Sequence, residues 1–553
     1  METKNYPTGV LIKRLLGVMK HLLPYIAIAV LFAVLGFVVT VAIPSYLIWL
    51  GFSALSGQTP SWWHLLALVV LALARGAFRY GEHYFGHFVA FHSLADLRKL
   101  IFAKLRRLAP AKLDGQDSGH LLKMIGEDIE ALEIFFAHTI APICTGTITA
   151  VLALLYFGSV HWGFAVIALV TYILLAVVLP NQFAKKLQPH LKEQNQARTS
   201  YMSAFLESLK AMKDLVQFGR SQERFSQLTS QSQEVNHLER KVAQEQFLQQ
   251  ALTFLVVGLS LTSFALWGMY EVAGQGLTVV QATIALAGFS SSFAPFLELG
   301  RLPLGFKRAM NAGRHVFTLL DEPELAQTGE VVPVRLDEVS ISGLHFQYDQ
   351  REQEIFKDFS ANFQSGRIIG LVGASGSGKS TLMKLIMRWY DGQAGQIALT
   401  GQEVKGIDRR HLQGSIAYVP QIAQLFHQSL RENLLLGRTD VSDEEIWVLA
   451  ERCHMKERLE RLPEGLDTVI DGEADFSAGE RQRLELMRAL LKQADAYIFD
   501  EPTSNLDALN EAAFLSIVRE ECKGLVFLIS HRQSTVNFAD EVYELTPSHL
   551  IRK

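Results

Sequence analysis

Charge is missing from long parts of this chain. Residues 22–74, 134–184, 246–270 and 272–297 contain no Asp, Glu, Lys or Arg. Runs of that length are poor solvated surfaces, and they fit a bilayer, which a helix of about 20 apolar residues crosses. Each of the first two runs is long enough for two crossings, with turns at "SGQTPS" (56–61) and "GSVHWG" (158–163). Glu271 and the "GQG" at 274–276 separate the last two runs. The expectation is six spans. Cysteine is scarce as well. Cys144, Cys453 and Cys522 show no pairing or metal-ligand spacing, which argues against a disulfide framework. A basic excess is also absent: the net charge of −4 gives no sign of a nucleic-acid partner. The basic start runs into a long span rather than a short apolar region with a small-residue cleavage site, so no cleavable signal peptide is expected.

The basic residues that are present set an orientation. Lys13, Arg14 and Lys20 precede span one, "RKLIFAKLRR" (98–107) follows span two, and Lys185 and Lys186 follow span four. The turns after spans one, three and five carry no Lys or Arg. Both termini are therefore expected on the cytoplasmic side, with Trp62 and Trp63 at the outer interface. The 88–133 and 185–245 stretches are charged and nearly free of Gly and Pro, and read as helical extensions of the spans. Breaks at 109–119 and around 217–222 suit the turns where such extensions reverse. After "RHVFTLLDEPE" (314–324) the composition changes, and from about Val332 strands alternate with helices and Gly-rich turns. The expected organisation is an α-helical transmembrane domain of six spans over 1–325 and an α/β domain over 332–553.

The second half carries the chemistry. "GASGSGKS" (373–380) follows the apolar strand "RIIGLV" and precedes the helix "TLMKLIMRWY", the context that a P-loop requires. Backbone N–H groups of such a loop wrap a polyphosphate, and the helix N-terminus adds a favourable dipole. The expected ATP contacts are Gly373, Ala374, Ser375, Gly376, Ser377, Gly378, Lys379, Ser380 and Thr381. Lys379 is expected on the β- and γ-phosphates, with Ser380 on Mg²⁺. "AYIFDEP" (496–502) is an apolar strand ending in two carboxylates. Asp500 suits Mg²⁺, and Glu501 suits the orientation or deprotonation of an attacking water. Adjacent strand residues point to opposite faces, so the strand must end there for both to serve one site.

Residues 332–553 resemble the nucleotide-binding domain of ABC transporters. The family's remaining elements occur in order: Tyr348 in "HFQYD", Gln421 in "VPQ", the signature "FSAGERQR" (476–483), "SNLD" (504–507) and His531 in "LISHR". The resemblance implies that Tyr348 stacks on adenine, that Gln421 senses the γ-phosphate at the metal, and that His531 is the switch histidine. It implies that Ser477 and Gly479 meet the γ-phosphate of a partner's ATP. The usual LSGGQ is here FSAGE, and Ala478 adds a methyl where close backbone approach is expected. Joined to six spans, this domain implies an exporter-type half-transporter that works as a pair. The family also places helices that dock on the ATPase domain at the 109–119 and 217–222 turns.

One stretch does not suit lipid. In "ARGAFRYGEHYFGH" (74–87), Arg75, Arg79, His83 and His87 stand four residues apart and share one slowly drifting helix face. An Arg at the bilayer centre costs roughly 2.5–3.5 kcal/mol on insertion scales, so this face is expected to line a substrate cavity. With Trp62 at the outer interface, Arg75 lies at about 20 Å depth and His87 at about 38 Å. A neutral imidazole can ligate haem iron and a guanidinium can pair with a propionate, so His87 is a candidate haem ligand, with His138 of span three as a rival. The plainer alternative is that these residues mark topology at a helix end and are solvated.

The segment 79–111 resembles the CydC subunit of bacterial CydDC exporters, and the Glu that ends the signature suits that subunit. His83 stands where that pattern has an arginine. The resemblance implies a heterodimer with a CydD-like chain in the bacterial cytoplasmic membrane, haem or a small thiol (cysteine or glutathione) as cargo, and support of cytochrome bd assembly. The alternatives are an exporter of lipids or hydrophobic drugs and, from another class, a mainly regulatory subunit with a degenerate ATPase.

Overall fold

The computed structural model describes all residues except 1–3, 5, 111–117, 326–335, 349–352, 472–474, 505, 547–548 and 553. The chain divides into two compact units: Met1–Leu105 with Gln116–Glu322, and Arg106–Gly115 with Pro323–Lys553. The division falls close to the composition change seen in the sequence. The short 106–115 segment groups with the second unit, which the sequence did not suggest as a domain boundary. Most of the 109–119 turn lies outside the described residues.

Among the described residues six helices are long and apolar enough to cross a membrane: Lys20–Leu55, Trp62–Leu108, Leu121–Val160, Trp162–Lys210, Ser221–Ala273 and Val279–Leu320. Span hydroxyls bond back to the carbonyl four residues earlier, as Thr40 does to Gly36 and Thr149 to Thr145, each within 2.8 Å. Such bonds satisfy a polar atom where no water is available. The third and fourth spans each contain one π-helical turn, Met124–Asp128 and Leu174–Val178. After the helix Met212–Gln217 the chain turns through Phe218–Arg220, and the fifth span starts at Ser221.

Aromatic packing holds spans three to six together. The rings of Phe164 and Phe264 stack with centroids 4.1 Å apart, Phe264 stacks on Phe289 at 4.4 Å, and Tyr172 stacks on Phe296 at 3.7 Å. Hydroxyl bonds join the fourth span to the fifth and sixth: Thr171 donates to Ser260 at 2.9 Å, and Tyr172 shares a hydrogen bond with Ser292 at 2.6 Å. Small residues let these helices approach, since a Cβ at Gly163 would run into the Trp267 indole. The N-terminal segment is fastened to the end of the sixth span. Arg14 grips both oxygens of Asp321 at 2.5 and 2.6 Å, and Tyr6 donates to the same carboxylate at 2.6 Å. These bonds, the Arg14 contact foremost, hold the Asp321 carboxyl down at about 2.

Among the described residues the second unit has two sheets. Strands β1 (Glu338–Phe346), β2 (Phe356–Gln364), β4 (Ala394–Leu399) and β5 (Gln402–Glu403) form an antiparallel sheet in the order β2-β1-β4-β5. Strands β3 (Ile368–Val372), β6 (Ile416–Val419), β7 (Ala496–Asp500), β8 (Leu525–Ile529), β9 (Glu541–Leu545) and β10 (Leu550–Arg552) form the other, in the order β10-β9-β3-β8-β7-β6. All its pairs are parallel except β10 with β9. β7 and β8 are buried along their whole length, which accounts for the apolar runs at 496–499 and 525–529. Leu371 pairs with Ile529, Asp500 with Ile529 and Val419 with Phe499, so four strands end nearly level. Ligands of parallel sheets bind beyond such carboxyl ends.

Candidate functional site

The P-loop, the two acidic residues, Gln421 and His531 all leave that one edge of the sheet. Gly376 and Gly378 have φ of 82° and 100°, a region that L side chains rarely adopt. Gly378 also has no room for a Cβ, which would lie 2.8 Å from Ile355 and 2.9 Å from the Phe356 ring. The helix Lys379–Ile386 starts at Gly378 with no side-chain cap, so its first N–H groups stay available to an anion. Lys379 is buried (8% exposed), and its ammonium donates to the loop carbonyls of Gly373 and Ala374 at 2.9 and 3.0 Å. The loop thus brings a cation beside uncapped helix N–H donors, which suits a polyphosphate.

Asp500 is 7% exposed. Burial pushes its carboxyl up, and hydrogen bonds from Ser380 to Oδ1 (2.9 Å) and Tyr418 to Oδ2 (3.0 Å) oppose that shift. Ser380 and Asp500 side by side are the donor set that Mg²⁺ takes beside nucleotide phosphates, a hydroxyl and a carboxylate. β7 ends at Asp500, and Glu501 adopts a left-handed φ of 50° while its N–H still bonds Ile529 O at 3.0 Å. This break turns the second carboxylate to the same edge as the first. Gln421 Nε2 donates to Glu501 Oε2 at 3.0 Å, and His531 Nδ1 lies 3.4 Å from that oxygen. One carboxylate therefore joins the residues after β6, β7 and β8. Tyr348 shares a 3.0 Å hydrogen bond with Thr381, and its ring meets Tyr390 edge-on at 5.1 Å.

Ser477 caps the helix Ala478–Leu491 in a reciprocal capping box with Glu480. Burial raises the Glu480 carboxyl, but the Ser477 bonds and the charges of Arg458 and Arg483 outweigh it and keep the group below its ordinary value. A Cβ at Gly479 would sit 3.1 Å from Leu506. Ser375 and Gly376 lie on the exposed crest of the loop. The Ser377 hydroxyl is buried without a hydrogen-bond partner.

The membrane unit holds a cavity of about 410 Å³ lined by Arg75, Arg79, Glu82, His83 and His87 of the second span, His138 of the third and Glu298 of the sixth. Ala29, Ala33 and Gly36 of the first span leave room for it. The rings of His83 and His87 are 4.4 Å apart, and those of His87 and His138 are 5.8 Å apart. The two histidines set against each other in the sequence are thus neighbours on one wall. Arg79 donates to both oxygens of Glu82 at 2.8 Å. His87 Nδ1 is buried, lacks a hydrogen bond, and lies 3.5 Å from Glu133. Among the described residues no group of three His, Cys, Asp or Glu is arranged to hold a metal.

Sequence reasoning missed Tyr418, Glu298 and Glu133 and left Glu82 unassigned. Glu82 had a signal, its three-residue spacing from Arg79. The others reach their sites through strand pairing or helix packing.

The family pattern for the ABC transporter matches residues 356–504, and that for the ABC transporter transmembrane region matches 26–296. A Haemophilus influenzae protein described as a probable ABC transporter ATP-binding/permease protein is 34% identical, over 86% of this chain and 87% of its own. The chain belongs to the ABC transporter family. It is an exporter-type half-transporter that couples ATP hydrolysis to transport and uses ATP and Mg²⁺. A lipid A-core flippase of Chromobacterium violaceum is 29% identical over 87% of this chain and 82% of its own. The H. influenzae glutathione/L-cysteine transport system protein CydC is 25% identical over 87% and 85%. A solved structure of a bacterial Atm1-family ABC exporter with ATP bound superposes with a TM-score of 0.79 at 23% identity, over 96% of this chain and 94% of that one. That likeness establishes the fold.

Proposed function

We propose that this half-transporter pairs with a CydD-like chain and exports haem or a small thiol across the bacterial cytoplasmic membrane, in support of cytochrome bd assembly. Both termini and the ATPase domain then face the cytoplasm, in line with the basic loops. The observation that carries the cargo reading is the polar cavity. Ionisable residues within membrane helices mark substrate paths by default. Arg79 is neutralised by Glu82, whereas Arg75 has no ion-pair partner among the described residues and is free for a cargo carboxylate. Haem, cysteine and glutathione all carry one. In the ATPase, Lys379 and the loop hold the phosphates, Ser380, Asp500 and Gln421 serve Mg²⁺, and Tyr348 stacks on adenine. Glu501 activates water under the control of Gln421 and His531. Ser477 and Gly479 serve the partner's ATP, at a site that Ala478 slows.

A lipid exporter is the second reading, favoured by the likeness to a lipid A-core flippase. The experiment is a titration of the purified complex with haem, cysteine, glutathione and lipid A, followed by the Soret band and by ATPase rate. Stimulation by lipid A alone would replace the first reading by the second.

A further inference from the structure

A second cavity of the membrane unit, about 700 Å³, lies between the N-terminal segment and the third, fourth and sixth spans. It shares no lining residue with the Arg75–His138 cavity. Its wall changes along its length. Towards the middle of the spans it is aliphatic, and Ile143 and Val177 there are 47% and 52% exposed. Towards Leu320, where the sixth helix ends, it becomes polar, with Gln188, Lys307 and Arg314. No Asp or Glu lines it. Lys307 donates to Gln188 at 2.7 Å, and Arg314 donates to Asn311 at 2.7 Å and to the Tyr6 carbonyl at 3.4 Å. These partners are neutral. Among the described residues neither cation has an ion pair with a carboxylate.

A groove that is apolar along most of its length and ends in two uncompensated cations fits an anion with a tail. We propose that it holds one anionic glycerophospholipid from the leaflet at that end of the helices. The phosphate lies between Lys307 and Arg314, and an acyl chain follows Ile143, Val177 and Leu302. Charge selects this occupant. A zwitterionic headgroup would bring its own ammonium to a site with two cations and no carboxylate. A free phosphate would leave the apolar length of the groove uncovered. The lipid is a bound component at a place apart from the cargo path, so the proposal does not rest on what the transporter carries.

The test is native mass spectrometry of the purified transporter after exposure to dioleoyl-phosphatidylglycerol or dioleoyl-phosphatidylcholine. The expected result is a preference of roughly tenfold or more for phosphatidylglycerol. Lys307→Gln with Arg314→Gln should abolish it, and Lys307→Arg with Arg314→Lys should keep it. If the glutamine variant does not fold, wild-type melting reads the same site: phosphatidylglycerol should raise Tm and phosphatidylcholine should not. Equal retention of both lipids by wild type, an unchanged preference in the glutamine variant, or equal Tm shifts would overturn the proposal. So would a cross-link from a cysteine placed at Val177 to the other half-transporter, because a protein segment would then fill the groove.

Discussion

Tyr418 donates its hydroxyl to Asp500 Oδ2 at 3.0 Å, across the β6–β7 pair. The bond fixes the carboxylate so that Oδ1 stays beside the Ser380 hydroxyl. If Asp500 and Ser380 serve Mg²⁺, Tyr418 positions that site without touching the metal. Tyr418→Phe should therefore raise the Mg²⁺ concentration for half-maximal ATPase about fivefold, the equivalent of one ordinary hydrogen bond of about 1 kcal/mol. A Mg²⁺ titration at saturating ATP checks this, and Mn²⁺ binding followed by EPR gives a readout apart from turnover.

Glu501 touches both Gln421 and His531 at this edge. Glu501→Gln should keep ATP binding and lower turnover at this P-loop by about 10²–10⁴-fold, the range for loss of a positioned general base. Lys379→Ala should weaken binding itself. Nucleotide binding and single-turnover hydrolysis, measured on the same preparations, separate the two.

The signature departs from LSGGQ at Ala478, the first residue of a helix already capped by Ser477. Ala478→Gly should leave the cap in place and speed the ATP site that this signature completes, or leave it unchanged. A slower site would show that the methyl does not obstruct it. If this chain alone purifies as a dimer with full substrate-stimulated ATPase, the heterodimer assignment fails.

Asp321 ties the N-terminal segment to the end of the sixth span through Arg14 and Tyr6. Its carboxyl lies at about 2, below the ordinary 3.8. A depressed carboxyl stabilises the folded state fully above the ordinary value and loses that contribution as pH falls towards the folded value. The pair is about a third exposed, so the effect is screened. Asp321→Asn should lower stability by roughly 1 kcal/mol or less at neutral pH. The gap from wild type should narrow from about pH 4 down to about pH 2. Thermal melts of both proteins across that range check the direction.

Much of the fold was legible because membranes and phosphates both impose strict residue patterns. Charge-free runs marked the six spans, and the ordered motifs from Gly373 to His531 marked residues that the fold gathers at one edge of the sheet. What escaped notice depends on packing between distant segments. Glu298 joins the cavity only because the sixth span packs against the third. Tyr418 reaches Asp500 only through the register that pairs it with Ile498. The π-helical turns at Met124–Asp128 and Leu174–Val178 leave no mark in hydropathy. Grouping of 106–115 with the second unit is likewise a tertiary fact, exemplified by the Arg409 guanidinium donating to Ala109 O at 2.9 Å.

The claim that the Arg75–His138 cavity receives an anionic haem or thiol cargo is tested most directly by cargo-stimulated ATPase of the purified complex. Wild type, Arg75→Ala and His87→Ala would be compared with haem, glutathione, cysteine and lipid A. The account predicts stimulation of wild type by haem or a thiol. Loss of one charge-assisted bond of roughly 1.5–3 kcal/mol should weaken that cargo's half-saturation about 10- to 100-fold in Arg75→Ala, with basal ATPase retained. If haem or thiol stimulation is the same in wild type and Arg75→Ala, or if lipid A alone stimulates wild type, the cavity is not the site this account makes it.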